Sequence, residues 1–215
     1  MGKYNAFIFD FDLTLADSTK GIYICYKKCL EHFGYRVPSD EEIFRTIGNT
    51  IEDSIAILIG RMPDNVLEMR KYYVSLADEY MVKYTEFYPN VLAVLQVLKQ
   101  AGKKVGIVST KYRYRIMSSF ENAGSFPIDE IVGGEDVNVF KPDPTGLNLM
   151  INRLGVLKEE VLYVGDSYID AETAKNAGVD FAGVLTGSTD EKTFSKYPNI
   201  MIKDSILDII TGLNA

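Results

Sequence analysis

The chain has 215 residues, of which 47% are hydrophobic and 25% are charged, a balance typical of a folded globular protein rather than a disordered one. Thirty acids against 23 bases give a net charge of -7, and no basic run stands out, so nucleic acid is not expected as a partner. Residues 1–5 are too short and polar for a signal peptide, and no apolar stretch approaches the roughly 20 residues that span a bilayer, so we expect a cytoplasmic protein without a membrane partner.

Six short apolar runs, rich in β-branched residues, alternate with helical patterns along most of the chain. They cover residues 4–9, 104–109, 130–132, 161–164, 181–184 and 200–202. Strands that alternate with helices predict βαβ units, and continuous apolar runs are typical of parallel strands that are buried on both faces. The sequence therefore predicts an α/β fold with a doubly wound parallel sheet.

One long segment between the first two strands, residues 16–87, has helical periodicity and no strand-like run. Ser18 is placed to cap a helix through residue 33, Ser39-Asp40-Glu41-Glu42 is a capping-box pattern, and further helices fit 51–61 and 64–84. Ligands of open α/β sheets bind at the carboxyl ends of the strands, where this insert begins. We therefore expect a helical cap, 16–87, over a catalytic core formed by 1–15 and 88–215.

Two carboxylates follow the first strand, in Phe9-Asp10-Phe11-Asp12. Because they lie two residues apart where an apolar strand ends, they are expected close together at the ligand crevice. Carboxylate and carbonyl oxygens are the ligands that Mg²⁺ prefers. An isolated Asp-Phe-Asp is more often a simple polar turn, so the magnesium interpretation depends on what the later strand ends contribute.

Three later segments carry complementary groups. The second strand runs into Ser109-Thr110-Lys111, where a hydroxyl and adjacent backbone N–H groups form a fitting donor set for phosphate oxygens. Lys141 precedes a proline that stiffens its loop, and a fixed ammonium can neutralise a phosphoryl oxygen. Asp166 and Asp170 follow the fourth strand and offer the second half of a cation site, although Asp170 could equally be the N-terminal acid of a helix.

The ordered motifs DFDLT, VST, KP and GDSYID resemble those of the haloacid dehalogenase superfamily, in its phosphoglycolate-phosphatase-like branch with a helical cap. The resemblance covers nearly the whole chain. It implies a Mg²⁺-dependent phosphohydrolase that acts on a small phosphorylated metabolite through an aspartyl-phosphate, with phosphoglycolate as one candidate substrate. The resemblance implies that Asp10 is the nucleophile and that Asp12 is the general acid and base. It also implies that phosphate is bound by Ser109, Thr110 and Lys141. The implied Mg²⁺ ligands are Asp10, Asp166 and the backbone carbonyl of Asp12, with Asp170 as a second-layer residue that supports the ligands.

Two segments depart from the family pattern. Leu13 stands where the family usually has glycine, and Ser109-Thr110 stands where it commonly has threonine followed by asparagine. Ser109 keeps a hydroxyl for phosphate, whereas Leu13 adds a bulky side chain beside the catalytic loop and bears on which leaving group fits. Substrate selection is expected to depend on Asn49 and Thr50 in the insert and on Tyr112 in the core.

Two other functions stay open from the sequence. A sugar phosphomutase of the β-phosphoglucomutase type has a similar cap loop, but its cap arginine and cap histidine fall at Ile51 and Ile22 in this chain. The second alternative is a catalytically silent binding module with the same fold, against which stands the presence of all the key side chains. A dehalogenase is disfavoured by Asp12, because displacement of a halide needs no proton for the leaving group.

Overall fold

Residues 2–213, which the computed structural model describes, contain a six-stranded parallel sheet and a separate two-stranded one. In chain order the strands are β1 (Ala6–Phe9), β2 (Ala16–Asp17), β3 (Glu86–Phe87), β4 (Lys104–Val108), β5 (Glu130–Val132), β6 (Val161–Gly165), β7 (Asp180–Val184) and β8 (Met201–Lys203). The large sheet has the order β5-β4-β1-β6-β7-β8, and β2 pairs with β3. All pairings in the large sheet are parallel, so the predicted α/β fold class is confirmed.

The helices alternate with these strands outside one helical segment. They are α1 (Thr19–His32), α2 (Asp40–Phe44), α3 (Ile51–Ile59), α4 (Val66–Tyr80), α5 (Val91–Gln100), α6 (Arg113–Asn122), α7 (Thr145–Leu154), α8 (Tyr168–Ala177), α9 (Glu191–Phe194) and α10 (Ile206–Gly212). Among the described residues, no helix combines the length and the apolar character needed to cross a membrane.

The large sheet is covered on both faces, as the alternation of side chains along β1 shows. Phe7 and Phe9 pack into one apolar cluster with residues of α5, α6 and α10. Ala6 and Ile8 point to the opposite face and pack into a second cluster with residues of α7, α8 and α9. Successive side chains of a strand point to opposite faces, and burial of both faces explains why each strand is apolar without interruption.

The described chain divides into two compact units: a helical unit, Asp17–Glu86, and a core unit formed by the residues before and after it. The insert defined from the sequence, 16–87, extends one residue further at each end. The helical unit has its own apolar cluster, to which α1, α2, α3 and α4 all contribute. Within it the rings of Tyr26 and Tyr73 lie 4.5 Å apart.

Two local expectations for the insert need correction. The insert was expected to lack strands, but β2 and β3 occupy its ends; at two residues each, they are too short to show a period-two pattern. The Ser18 side chain makes no cap hydrogen bond, and the Asp17 carboxylate accepts from the Thr19 N–H at 2.9 Å. The capping box between Ser39 and Glu42 is confirmed.

The register of the central strands brings their carboxyl ends to one edge. Phe9, the last residue of β1, pairs with Ile107 of β4 and with Val164 of β6. The Asp10 N–H extends this ladder by donating to the Val164 carbonyl at 2.9 Å. Residues that follow β1, β4 and β6 therefore meet at the same edge of the core unit.

Candidate active site

Asp10 lies directly beyond β1 and is only 5% exposed. Burial raises the pKa of its carboxyl to about 7, because the charged form loses its hydration. Lys141 opposes this shift, and the nearby carboxylates of Asp170 and Asp12 add to it. The Asp10 side chain is therefore a buried acid whose ionised form depends on cations beside it.

The chain turns back after Asp10 in a tight loop that ends at Ala16. The Leu13 N–H donates to the Ala16 carbonyl at 2.8 Å, and the Leu15 N–H donates to the Phe11 carbonyl at 2.9 Å. Leu13 has a φ of 62°, in the left-handed region that favours glycine and costs other residues roughly 1–2 kcal/mol. This conformation explains physically why the family usually has glycine at this position. Leu13 adopts it while its side chain is buried, at 1% exposure.

Lys141 is the cation that faces Asp10. Its Nζ lies 3.0 Å from Asp10 Oδ1 and 2.7 Å from Asp170 Oδ1, and its side chain is 5% exposed. Burial alone lowers the pKa of a lysine, but the carboxylates of Asp10 and Asp170 together raise the pKa of Lys141 well above its usual value. The ammonium is therefore charged and held in place between two acids.

Three buried carboxylates, from Asp10, Asp166 and Asp170, each place an oxygen within 4.8 Å of the others. Burial raises the pKa of Asp166 well above its usual value, and Asp170 and Asp10 raise it further. The Asp10 Oδ1 atom is buried, and the Lys141 ammonium lies 3.0 Å from it as an ion-pair partner, an arrangement that leaves room on this oxygen for a second cation. Hard cations prefer such oxygen sets, so these residues fit the Mg²⁺ that the resemblance implies. The cluster does not include the Asp12 carboxylate, and the resemblance assigns Asp12 a backbone carbonyl instead.

Asp170 is fully buried and its two oxygens are engaged by neighbours. Oδ1 accepts from the Tyr163 hydroxyl at 2.8 Å and from Lys141, while Oδ2 accepts from the Ser167 hydroxyl at 2.5 Å and the Ser167 N–H at 3.2 Å. Asp166 differs, because its Oδ1 accepts from the Thr14 hydroxyl at 2.9 Å. The contacts of Asp170 suit a residue that orients Lys141.

Ser109 and Thr110 follow β4, as expected, but their backbone differs from the predicted donor set. The Ser109 N–H donates to the Val132 carbonyl at 3.0 Å, because β5 pairs with β4 to its end. The Lys111 N–H donates to the Ser109 hydroxyl at 3.2 Å. The N–H groups of Ser109 and Lys111 are thus already bonded within the core unit, and the role of Ser109 and Thr110 as phosphate ligands stays a prediction.

Lys111 is a site residue that the sequence analysis did not single out. Its Nζ lies 2.5 Å from Asp12 Oδ1, and the side chain is 3% exposed against 17% for Asp12. The ammonium also lies 5.1 Å from the centre of the Phe11 ring. The signal in the sequence is a lysine two residues past the Ser109 strand end, a position that alone does not show whether the side chain turns toward Asp12.

The three residues expected to select the substrate lie in different units. Asn49 and Thr50 belong to the helical unit, where the Asn49 amide donates to the Thr46 carbonyl at 2.9 Å and the Thr50 hydroxyl caps α3 by accepting from the Asp53 N–H. Tyr112 belongs to the core unit, immediately before α6. Their role in specificity stays a prediction.

Known proteins resemble this chain over most of its length. Pyrophosphatase PpaX from Bacillus pumilus is 32% identical over 201 residues, which cover 93% of this chain and 92% of that protein. Phosphoglycolate phosphatase from Aquifex aeolicus is 32% identical over 185 residues, covering 84% of each chain. The crystal structure of a protein from Bacteroides fragilis, described as a haloacid dehalogenase-like hydrolase, has a TM-score of 0.93 and 46% identity, covering 96% of this chain and 100% of that one.

A sequence profile provides the same assignment independently of any single relative. The profile of haloacid dehalogenase-like hydrolases matches residues 7–184. The match begins within β1 and ends with β7, so it includes Asp10, Ser109, Lys141 and Asp166. Fold, site and sequence agree: the chain belongs to the haloacid dehalogenase-like hydrolase family.

Proposed function

We propose that this protein is a Mg²⁺-dependent phosphohydrolase that transfers a phosphoryl group from a small phosphate ester to Asp10 and then to water. The observation that carries the proposal is the contact of the buried Asp10 carboxylate with Lys141, beside Asp166 and Asp170. A carboxylate can attack a phosphate dianion only when cations neutralise the negative charge that collects there. These residues supply one cation and the oxygen ligands for a second.

In the first half-reaction an Asp10 carboxylate oxygen forms a bond to phosphorus while the bond from phosphorus to the leaving oxygen breaks. Asp12 gives its proton to that leaving oxygen. In the second half-reaction Asp12 takes a proton from water, whose oxygen bonds to phosphorus as the bond from phosphorus to Asp10 breaks. The Asp10 carboxylate is thereby regenerated.

The other residues hold the phosphoryl group. Lys141 and the Ser109 hydroxyl are proposed to contact its oxygens, with Thr110 beside them, and Asp170 fixes the position of Lys141. Asp10, Asp166 and the backbone carbonyl of Asp12 are the proposed ligands of Mg²⁺, which when bound would neutralise charge on the phosphoryl oxygens.

Two substrates are supported by the relatives. One relative is named a phosphoglycolate phosphatase and another a pyrophosphatase, and both names describe removal of a phosphate from a small molecule. We propose a small phosphorylated metabolite of this kind as the substrate. The phosphomutase alternative is disfavoured because Ile22 is buried in the apolar cluster of the helical unit and Ile51 packs against that cluster, so neither position offers a cation for a second phosphate.

The test is to trap the covalent intermediate. The parent protein would be mixed with Mg²⁺ and phosphoglycolate or pyrophosphate, then treated with borohydride, which reduces an acyl phosphate at Asp10 to homoserine. Mass spectrometry of the peptide that contains residue 10 reads the result. We expect homoserine at position 10 in the parent and none after EDTA treatment or in Asp10→Asn. Phosphate release without any trapped homoserine would contradict the aspartyl-phosphate route.

A further inference from the structure

We propose that Lys111 recognises a negative charge on the leaving group, so that the preferred substrates carry a phosphate or a carboxylate beside the phosphate that is removed. The inference rests on the proposed function, and in particular on Asp12 as the proton donor to the leaving oxygen. It adds a residue and a substrate class to that function.

The position of Lys111 links it to the leaving group. A general acid must lie within hydrogen-bond reach of the atom that it protonates, about 2.6–3.2 Å. Lys111 Nζ contacts Asp12 Oδ1 at 2.5 Å, so its charge stands next to the place where the leaving oxygen must be. Lys141 contacts Asp10 and Asp170 instead. Lys141 therefore lies beside the phosphoryl group that is transferred, and Lys111 lies beside the group that departs.

The ammonium of Lys111 is held in a nearly dry environment. Its side chain is 3% exposed, and the Phe11 ring lies against it. An ammonium has three donors, and the bond to Asp12 uses one of them. Charge-assisted hydrogen bonds are strongest where water is excluded. A neutral alcohol would need the proton from Asp12 but would gain little from a second cation, whereas an anionic leaving group would gain from both.

The backbone at Lys111 is fixed before any ligand arrives. Its carbonyl accepts from the Gly134 N–H at 3.1 Å, and its N–H donates to the Ser109 hydroxyl. A Cβ at position 134 would lie 2.4 Å from the Thr110 carbonyl oxygen, so a residue without a side chain is needed for this contact. A cation held in this way contributes to binding without a large loss of entropy.

The experiment compares leaving groups that differ in charge. Phosphoglycolate and 2-hydroxyethyl phosphate have nearly the same size, but the first carries a carboxylate where the second carries a hydroxymethyl group. Pyrophosphate forms the third arm, because its leaving group is a phosphate. We expect the parent to hydrolyse at least one of the two anionic substrates with a kcat/KM about 10–100 times that for 2-hydroxyethyl phosphate, as a charge-assisted contact implies. The better of the two identifies the anion.

Variants at position 111 then test the assignment. Lys111→Met should lower kcat/KM for the preferred anionic substrate about 10–100-fold more than it lowers kcat/KM for 2-hydroxyethyl phosphate. Lys111→Arg keeps the charge and should recover part of the loss. Lys104→Met is the matched control, because Lys104 is an exposed lysine at the other end of β4 and should leave both values unchanged.

Two outcomes would overturn the inference while leaving the phosphohydrolase intact. One is an equal kcat/KM of the parent for 2-hydroxyethyl phosphate and for both anionic substrates, a result that needs no variant. The other is an equal loss for charged and neutral leaving groups in Lys111→Met, which would make Lys111 a positioning residue for Asp12. Failure of the proposed function itself is distinct: the parent would form no homoserine at position 10 with any of the three substrates, and the inference would fall with it.

Discussion

Lys141 and Asp170 share a buried hydrogen bond, in which Nζ lies 2.7 Å from Oδ1 of a fully buried carboxylate. We expect Asp170→Asn to lower kcat/KM about 10–100-fold, because the amide keeps the shape but not the charge that orients the ammonium. The affinity for Mg²⁺, measured by calorimetry, should change little. Asp166→Asn should instead weaken Mg²⁺ binding strongly.

Glu172→Gln is the control for this pair of variants, since it removes an acid from the same helix, α8, outside the cluster. This variant should leave kcat/KM and the affinity for Mg²⁺ unchanged. If Asp170→Asn weakens Mg²⁺ binding as much as Asp166→Asn does, Asp170 is a ligand of the ion and its assignment as a support for Lys141 is wrong.

Replacement of Asp10, the proposed nucleophile, should abolish turnover and stabilise the metal-free fold. Asp10→Asn loses the attacking oxygen, so phosphate release should fall below a few per cent of the parent value. Because burial and neighbouring acids disfavour the Asp10 carboxylate, its removal should also raise the Tm of the protein in EDTA at pH 8. Retained activity, or a lower Tm with normal circular dichroism, would count against this account of Asp10.

The stability of the metal-free protein should fall as the pH rises. The pKa of Asp10 is raised to about 7, against about 3.9 for an unfolded aspartate, and the pKa of Asp166 is raised too. A raised carboxyl pKa means that the folded state binds more protons, so its stabilising contribution is present below pH 4 and is lost as the pH rises through 7. Calorimetric scans in EDTA between pH 5 and pH 8 measure this loss.

Added Mg²⁺ should reverse the trend, because protons and the ion compete for the same oxygens. The rise in Tm on adding Mg²⁺ should therefore be larger at pH 8 than at pH 6. Asp10→Asn should show a weaker pH dependence than the parent in EDTA. A Tm in EDTA that rises steadily from pH 5 to pH 8 would be incompatible with the charge balance of this cluster.

At position 13 the glycine variant should be more stable than the alanine variant, which is the reverse of their usual order of stability. Leu13→Ala loses a buried side chain, worth about 1.5–3 kcal/mol, and keeps the unfavourable φ. Leu13→Gly loses the same side chain but relieves a backbone cost of roughly 1–2 kcal/mol. Urea unfolding should therefore find both variants less stable than the parent, with the glycine variant the more stable of the two. A more stable alanine variant would show that the φ at position 13 carries no strain.

Gly187 should tolerate no side chain, because a Cβ there would lie 2.0 Å from Asp166 Oδ2 and 2.8 Å from Asp166 Cβ. A rotation of the Asp166 side chain cannot relieve both contacts. Gly187→Ala should therefore displace the carboxylate and lower both kcat and the affinity for Mg²⁺ at least about tenfold. Gly212→Ala is the control, since its nearest contact would be 3.6 Å, and its activity should match that of the parent.

The fold and the positions of the main acids follow from local sequence patterns. Apolar runs define the strands, and parallel strands bring their carboxyl ends to one edge, which is sufficient to group Asp10, Ser109 and Asp166 before the structure is known. The contact of Lys111 with Asp12 joins residues 99 positions apart, and the Lys111 backbone is held by the distant segment at Gly134. The Ser109 N–H likewise bonds to a residue distant in sequence, because β5 pairs with β4. Contacts of this kind leave no periodic signal.

Because β1 pairs with both β4 and β6, the site can form only late in synthesis on the ribosome. Asp10 is made first, but Asp166 and Lys141 reach it only after most of the chain has emerged and β6 has joined the sheet. No early fragment can hold the acids together, so a nascent chain has no preformed site at which to capture a divalent ion. A divalent ion bound by these acids would therefore stabilise only the completed core, as a ligand of the native state rather than as a nucleus for folding.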